Sequence, residues 1–128
     1  SILDCNFTIS KSDFKPVPPG KYLMELKGID NDSGQYGPRF NFVFVIIRHE
    51  DGSTALQNSE LTAFVPRPKS NRPRRDCKLV RWAVVLLNQQ LENLDSLKLL
   101  DLIGKKCWAE ITQEGKTIHI ANISPFIN

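Results

Sequence analysis

The segment Phe40-Asn41-Phe42-Val43-Phe44-Val45-Ile46-Ile47 carries four large apolar side chains at a strict period of two. That spacing aligns them on one face of an extended strand and scatters them around a helix. A chain containing it must build a sheet. Asn41, Val43, Val45 and Ile47 between them are largely apolar too, so this strand is expected to meet other protein on both faces. Phe40, Phe42 and Phe44 are read as core filling and not as an exposed aromatic platform, which turns Arg39, Asn41 and Val43 outward.

The other segments follow by pattern and punctuation. Tyr22, Met24 and Leu26 alternate with Lys21, Glu25 and Lys27 in a half-buried strand over 21–30, with Gly28 marking a bulge before Ile29. Asn31 to Pro38 is dense in turn formers. A weaker strand lies within Thr54–Val65, best at Leu61–Val65, and Pro66 and Pro68 stop it. Leu79, Trp82, Ala83, Leu86 and Leu87 recur at helical spacing, so Trp82 belongs to the core. Asn71 or Asp76 is placed to cap this helix, with Pro73 in its first turn. A leucine-rich stretch, Leu91–Leu102, allows a short helical turn. Beyond Gly104, Cys107, Ala109 and Ile111 form one strand and Ile118 and Ile120 another, joined at Glu114-Gly115. Residues 1–19 read as an extended arm held open by Pro16, Pro18 and Pro19, and 20–128 as a single domain. The order β-β-β-α-β-β is that of the OB-fold, so the expected fold is mainly β: a five-stranded OB-like Greek-key barrel with one amphipathic helix between strands three and four.

The 128 residues are enough for one domain with a real core. No apolar run approaches the ~18 residues of a membrane span, and no signal-peptide pattern opens the chain. Cys5, Cys77 and Cys107 are odd in number and widely spaced, and neither His49 nor His119 stands at a ligand interval from them. Reduced thiols, a cytoplasmic setting, no metal and no cofactor are expected.

Charge is distributed unevenly. Between Arg67 and Arg81 lie Arg67, Lys69, Arg72, Arg74, Arg75, Lys78 and Arg81 against one acid, Asp76; this local charge of +6, in a chain of net charge +3, leaves −3 elsewhere. Solubility needs interspersed signs, whereas a block of one sign on a mildly acidic body is the footprint of a polyanion binder. Arginine, five of whose seven copies lie here, pairs bidentately with phosphate and stacks on bases.

A resemblance joins these features. Pro19-Gly20-Lys21-Tyr22, Gly37-Pro38 leading into Phe40-Asn41-Phe42-Val43-Phe44, Pro68-Lys69-Ser70, Leu79 with Arg81-Trp82 and Leu86-Leu87, and Leu102-Ile103-Gly104-Lys105 are spaced as in the phage and prokaryotic OB-fold proteins of single-strand-binding type. The chain resembles them from about Pro18 to Phe126. The resemblance implies a non-enzymatic single-stranded-DNA binder working beside replication or recombination proteins, in the host cytoplasm if phage-encoded. It departs from them in the longer loop at Asn71–Arg75 and in lacking an acidic C-terminal tail.

Single-strand binding requires cations along the phosphates and aromatic planes for the bases. The seven basic residues supply the first. For the second, Tyr36 sits in the first hairpin loop, and Trp108, out of phase with Cys107, Ala109 and Ile111, shares the outer face with Lys106; covering the barrel end or packing on the arm is the other reading of Trp108. Arg39 and Asn41 are secondary candidates, and Phe64 is assigned to the core. No phosphate loop, nucleophile elbow or metal constellation suggests an enzyme. The rival reading is a barrel serving as an assembly module, its basic loop docked on an acidic protein and its strand edges forming oligomers. DNA is favoured over RNA by the resemblance alone, and a homo-oligomer stays open.

Overall fold

The computed structural model describes residues 2–4, 17–34, 37–115 and 117–127. Among these residues five strands form: β1 (Gly20–Gly34), β2 (Gly37–His49), β3 (Glu60–Pro66), β4 (Lys106–Glu114) and β5 (Thr117–Pro125), with one α-helix, α1 (Lys78–Leu87), between β3 and β4. The strands make one antiparallel sheet in the order β3-β2-β1-β4-β5. The chain is mainly β, as its period-two patterning requires.

Phe40, Phe42, Phe44 and Ile46 are buried, together with Tyr22, Met24 and Leu26 of β1, Ala63 and Val65 of β3, Cys107, Ala109 and Ile111 of β4 and Ile123 of β5. The apolar stripe of α1 covers them. Trp82 sets its ring against Phe42 at 6.1 Å and Phe44 at 6.0 Å between centroids, both edge-on. Each ring buried there contributes ~1.5–3 kcal/mol by removal from water.

The helix lies against both β3 and β5, the outermost strands. In a flat sheet those edges would stand four spacings, roughly 19 Å, apart, wider than the ~10 Å body of a helix. The sheet therefore bends around α1. Register shifts at Leu23/Met24, Leu26/Gly28 and Glu110/Ile111 admit the bend, the second at the glycine where a bulge is expected. The expected closure into a barrel is not made. β3 and β5 do not pair among the described residues, and the sheet stays open with the helix between its edges.

Other differences have local causes. β1 and β2 run on through Asn31–Gly34 and Gly37–Arg39, because cross-strand partners such as Asp32 and Arg39 outweigh the turn propensity of that stretch. β3 is confined to Glu60–Pro66, and the preceding residues turn through Asn58, whose φ is 71°. Neither Asn71 nor Asp76 caps α1. The helix starts after Cys77, which makes no side-chain cap, the Asp76 carboxylate is taken by Arg74 at 3.3 Å, and Pro73 precedes the helix. At the other end Asn88 adopts the left-handed conformation, φ 52°, and closes the helix onto the Val84 and Val85 carbonyls. Leu91–Asn93 and Leu99–Leu102 form two 3-10 turns. Of the arm expected over residues 1–19, Ile2–Asp4 form a 3-10 turn, Val17 is buried in the core and Tyr22 donates its hydroxyl to the Pro18 carbonyl. Ser1 and residues 5–16 lie outside the described part. No described helix is long and apolar enough to cross a membrane.

Candidate functional site

β3 ends where Pro66 and Pro68 remove ladder donors, and the chain leaves the sheet as a loop carrying most of its arginines. The loop is tied at both ends. Arg67 donates its backbone N–H to the Pro38 carbonyl at 3.2 Å and its Nη1 to Asn31 Oδ1 at 3.2 Å, with its guanidinium 5.6 Å from the Phe40 ring. At the other end Lys78 donates Nζ to the Phe64 carbonyl at 2.8 Å and lies 4.6 Å from the Trp82 ring. Burial, and then the neighbouring Arg81, lower the Lys78 pKa. This ammonium clamps α1 to β3. Arg74 is paired with Asp76 in solvent.

A groove of about 640 Å³ opens between this loop and the segment that follows α1. Arg67, Lys69, Arg72 and Arg75 line it, with Asp95 the one acid among its lining residues. Phe40, Leu79, Leu94 and Leu97 are among the apolar side chains beneath. Arg75 reaches across and donates to the Leu91 carbonyl at 3.4 Å. Lys69, Arg72 and Arg81 have no ion-pair partner among the described residues, and a turn through Ser70 orients Arg72. Cations over an apolar floor suit a ligand that is anionic along one side and flat and apolar along the other.

On the outer face of the sheet, opposite to the face that carries Phe40, Phe64 is 50% exposed. Its expected place in the core is corrected. Ala63 and Val65 turn inward, and strand alternation forces Phe64 out. The Arg39 guanidinium carbon lies 3.7 Å from the Phe64 ring centroid, and Asp32 Oδ2 accepts from Arg39 Nε at 3.1 Å and Nη2 at 2.9 Å. Asn41 donates Nδ2 to the same oxygen at 3.3 Å, and the Ser33 N–H donates to Asp32 Oδ1 at 2.8 Å. The Arg39 hydrogen bonds, with Ser33 and Asn41 behind them, hold the Asp32 carboxyl below its usual pKa.

Trp108 does face outward, but elsewhere. It pairs with Leu23 and Ser124, lies 6.4 Å from the Phe126 ring, and has Arg48 at 5.0 Å and Lys21 at 5.8 Å from its centroid. Along β1 the cross-strand partners of the two regions, Leu23 and Asp30, are separated by roughly 20 Å of strand. Lys106 is exposed opposite Glu25 on the Trp108 side. The structure thus brings Arg67, Lys69, Arg72 and Arg75 together at the groove, places Arg39 and Asn41 on the opposite face of β2 from its Phe40 floor, sets Arg81 on the outer side of α1, and leaves Trp108 and Lys106 apart. Tyr36 lies outside the described residues. Sequence reasoning missed Phe64, whose signal was the alternation with Ala63 and Val65. It also missed Asp32 and the Leu91–Leu99 wall, which become neighbours only through tertiary contact. Comparison of the chain with protein-family models, with curated proteins and with solved structures gives no match.

Proposed function

We propose that the chain binds single-stranded nucleic acid, DNA favoured over RNA, with little sequence preference. The observation that carries this reading is the groove: four cations and one acid around an apolar floor. A single strand has the matching character, with charge on its backbone and unstacked bases whose faces are free to leave water. A duplex offers the charge but hides the base faces. On this reading the bent sheet is a partly open OB-like Greek-key barrel, and the phosphates track Arg67, Lys69, Arg72 and Arg75. Phosphate contacts position a strand without reading its bases, so all sequences are bound to a similar degree. Service beside replication or recombination proteins follows from the resemblance in sequence alone.

The test is fluorescence anisotropy with a labelled oligothymidylate of about fifteen nucleotides, and with a duplex of equal length, across a salt series. Four phosphate contacts give a slope of log affinity on log salt near −2.8, at about 0.7 per contact on single strands. The single strand should bind tighter than the duplex. Salt-insensitive binding, or equal affinity for both, overturns the reading.

A further inference from the structure

We propose that Asp32 is a positioning residue for base stacking: it fixes Arg39 flat on Phe64, and the outer plane of that guanidinium receives a nucleobase. The inference rests on the single-strand reading above. Two bonds from one edge of the guanidinium to Asp32 Oδ2, at 3.1 and 2.9 Å, prevent the fork from turning without breaking both. The carboxylate is itself held by the Ser33 N–H and Asn41. The register explains the assembly: Asp32 faces Arg39 across β1 and β2, and Asn41 faces Phe64 across β2 and β3. One face of the guanidinium lies on the ring at 3.7 Å, and the Arg39 side chain keeps 30% of its surface exposed. Guanidinium planes stack on bases, and a plane already immobilised loses less freedom when it does so.

Gly34 belongs to the device. A Cβ at that position would come within 2.9 Å of Arg39 Nη1 and 3.1 Å of its Cζ. The glycine leaves the space through which Arg39 reaches its place, so a methyl group there displaces the guanidinium without altering any charge.

The proposal makes an expectation opposite to that of simple electrostatics. Removing an acid beside a polyanion site should tighten binding. Asp30→Asn, two residues along the same outer face, is expected to do so slightly. Asp32→Asn should instead weaken oligothymidylate binding about fivefold or more, the lower end of what one stacked base contributes. Gly34→Ala should weaken it in the same direction with an unchanged salt slope. On an abasic oligomer of equal length, which keeps the phosphates and lacks the bases, neither variant should lose affinity. Thermal melts establish that the variants are folded, and Gly34→Ala carries the test if Asp32→Asn is not. Tightening by Asp32→Asn on both probes, or equal weakening on both, overturns the positioning role while leaving the groove intact. Failure of the unaltered protein to bind either probe overturns the single-strand reading and this inference with it.

Discussion

Two regions of the outer face hold an arginine over an aromatic ring, and they differ in what surrounds the pair. At Phe64 the guanidinium is locked by a carboxylate at 2.9 Å, the ring is half exposed, and Arg39 pairs with Pro66, where the cationic loop leaves the sheet. At Trp108 the ring is more covered, packed with Phe126 and flanked by Arg48 and Lys21, and Glu25 and Glu110 offset the positive charge along the same strands. The first arrangement presents a plane to solvent next to cations; the second closes a surface. Both regions hold an aromatic ring and a nearby cation, so what distinguishes them is the exposure of the ring and the charge around the pair.

The largest expected effect lies beneath both regions. Phe42→Ala removes a fully buried ring that supports Trp82, and should cost ~3–5 kcal/mol of stability in denaturant titration. A variant of unaltered stability would mean that the β2 faces are assigned the wrong way round. Next comes charge reversal of Arg67, Arg72 and Arg75 together. Loss of three contacts at ~0.7 log units per log salt lowers single-strand affinity about fiftyfold or more near physiological salt, with the fold retained. The same triple change leaving affinity intact would favour the assembly-module reading and remove the groove from the comparison.

Paired truncations at Phe64 and Trp108 separate the two regions. Phe64→Ala should lose about 1–3 kcal/mol of single-strand binding with a small change in melting temperature. Trp108→Ala should do the reverse, losing about 2 kcal/mol of stability, less than a fully buried ring, and little affinity. Exchange of these two outcomes would transfer the interface to β4. The last effect, small within the first pH unit above 9.0, probes the Trp108 side from behind. Burial pushes the Cys107 thiol from 9.0 up to about 12. The folded thiol stays neutral while the unfolded one ionises, so its contribution is complete below pH 9.0 and is lost as pH rises towards about 12. The decline reaches up to ~1.4 kcal/mol per unit. Stability measured against alkaline pH should be flatter in Cys107→Ala; coincident profiles would show that the thiol is not sealed behind β4.

Much of the fold was legible because it rests on short-range rules. The period-two run at Phe40–Ile46, the helical stripe from Leu79 to Leu86 and the alternation of Cys107, Ala109 and Ile111 each declare their element and inward face. Closure was not legible. Whether β3 meets β5 depends on how far the sheet bends around α1, a property of packing and not of any one segment. The cations of the groove were visible as a charge block, yet their opposite wall, Leu91–Leu99, comes from a stretch whose sequence signals only leucine. Phe64 was misread because Leu61–Val65 is too short for its phase to be fixed without a partner strand. Trp108 was given the correct face, but the sequence does not encode its distance from the loop.

The most direct measurement is amide chemical-shift mapping of the isotope-labelled protein titrated with oligothymidylate at low salt. The account predicts that perturbations gather at Asp32, Arg39, Phe64, the loop from Arg67 to Arg75 and the facing segment from Leu91 to Leu99, while Leu23, Trp108 and Ser124 stay nearly unmoved. Perturbations centred on Trp108 and its neighbours, with the groove silent, would contradict it.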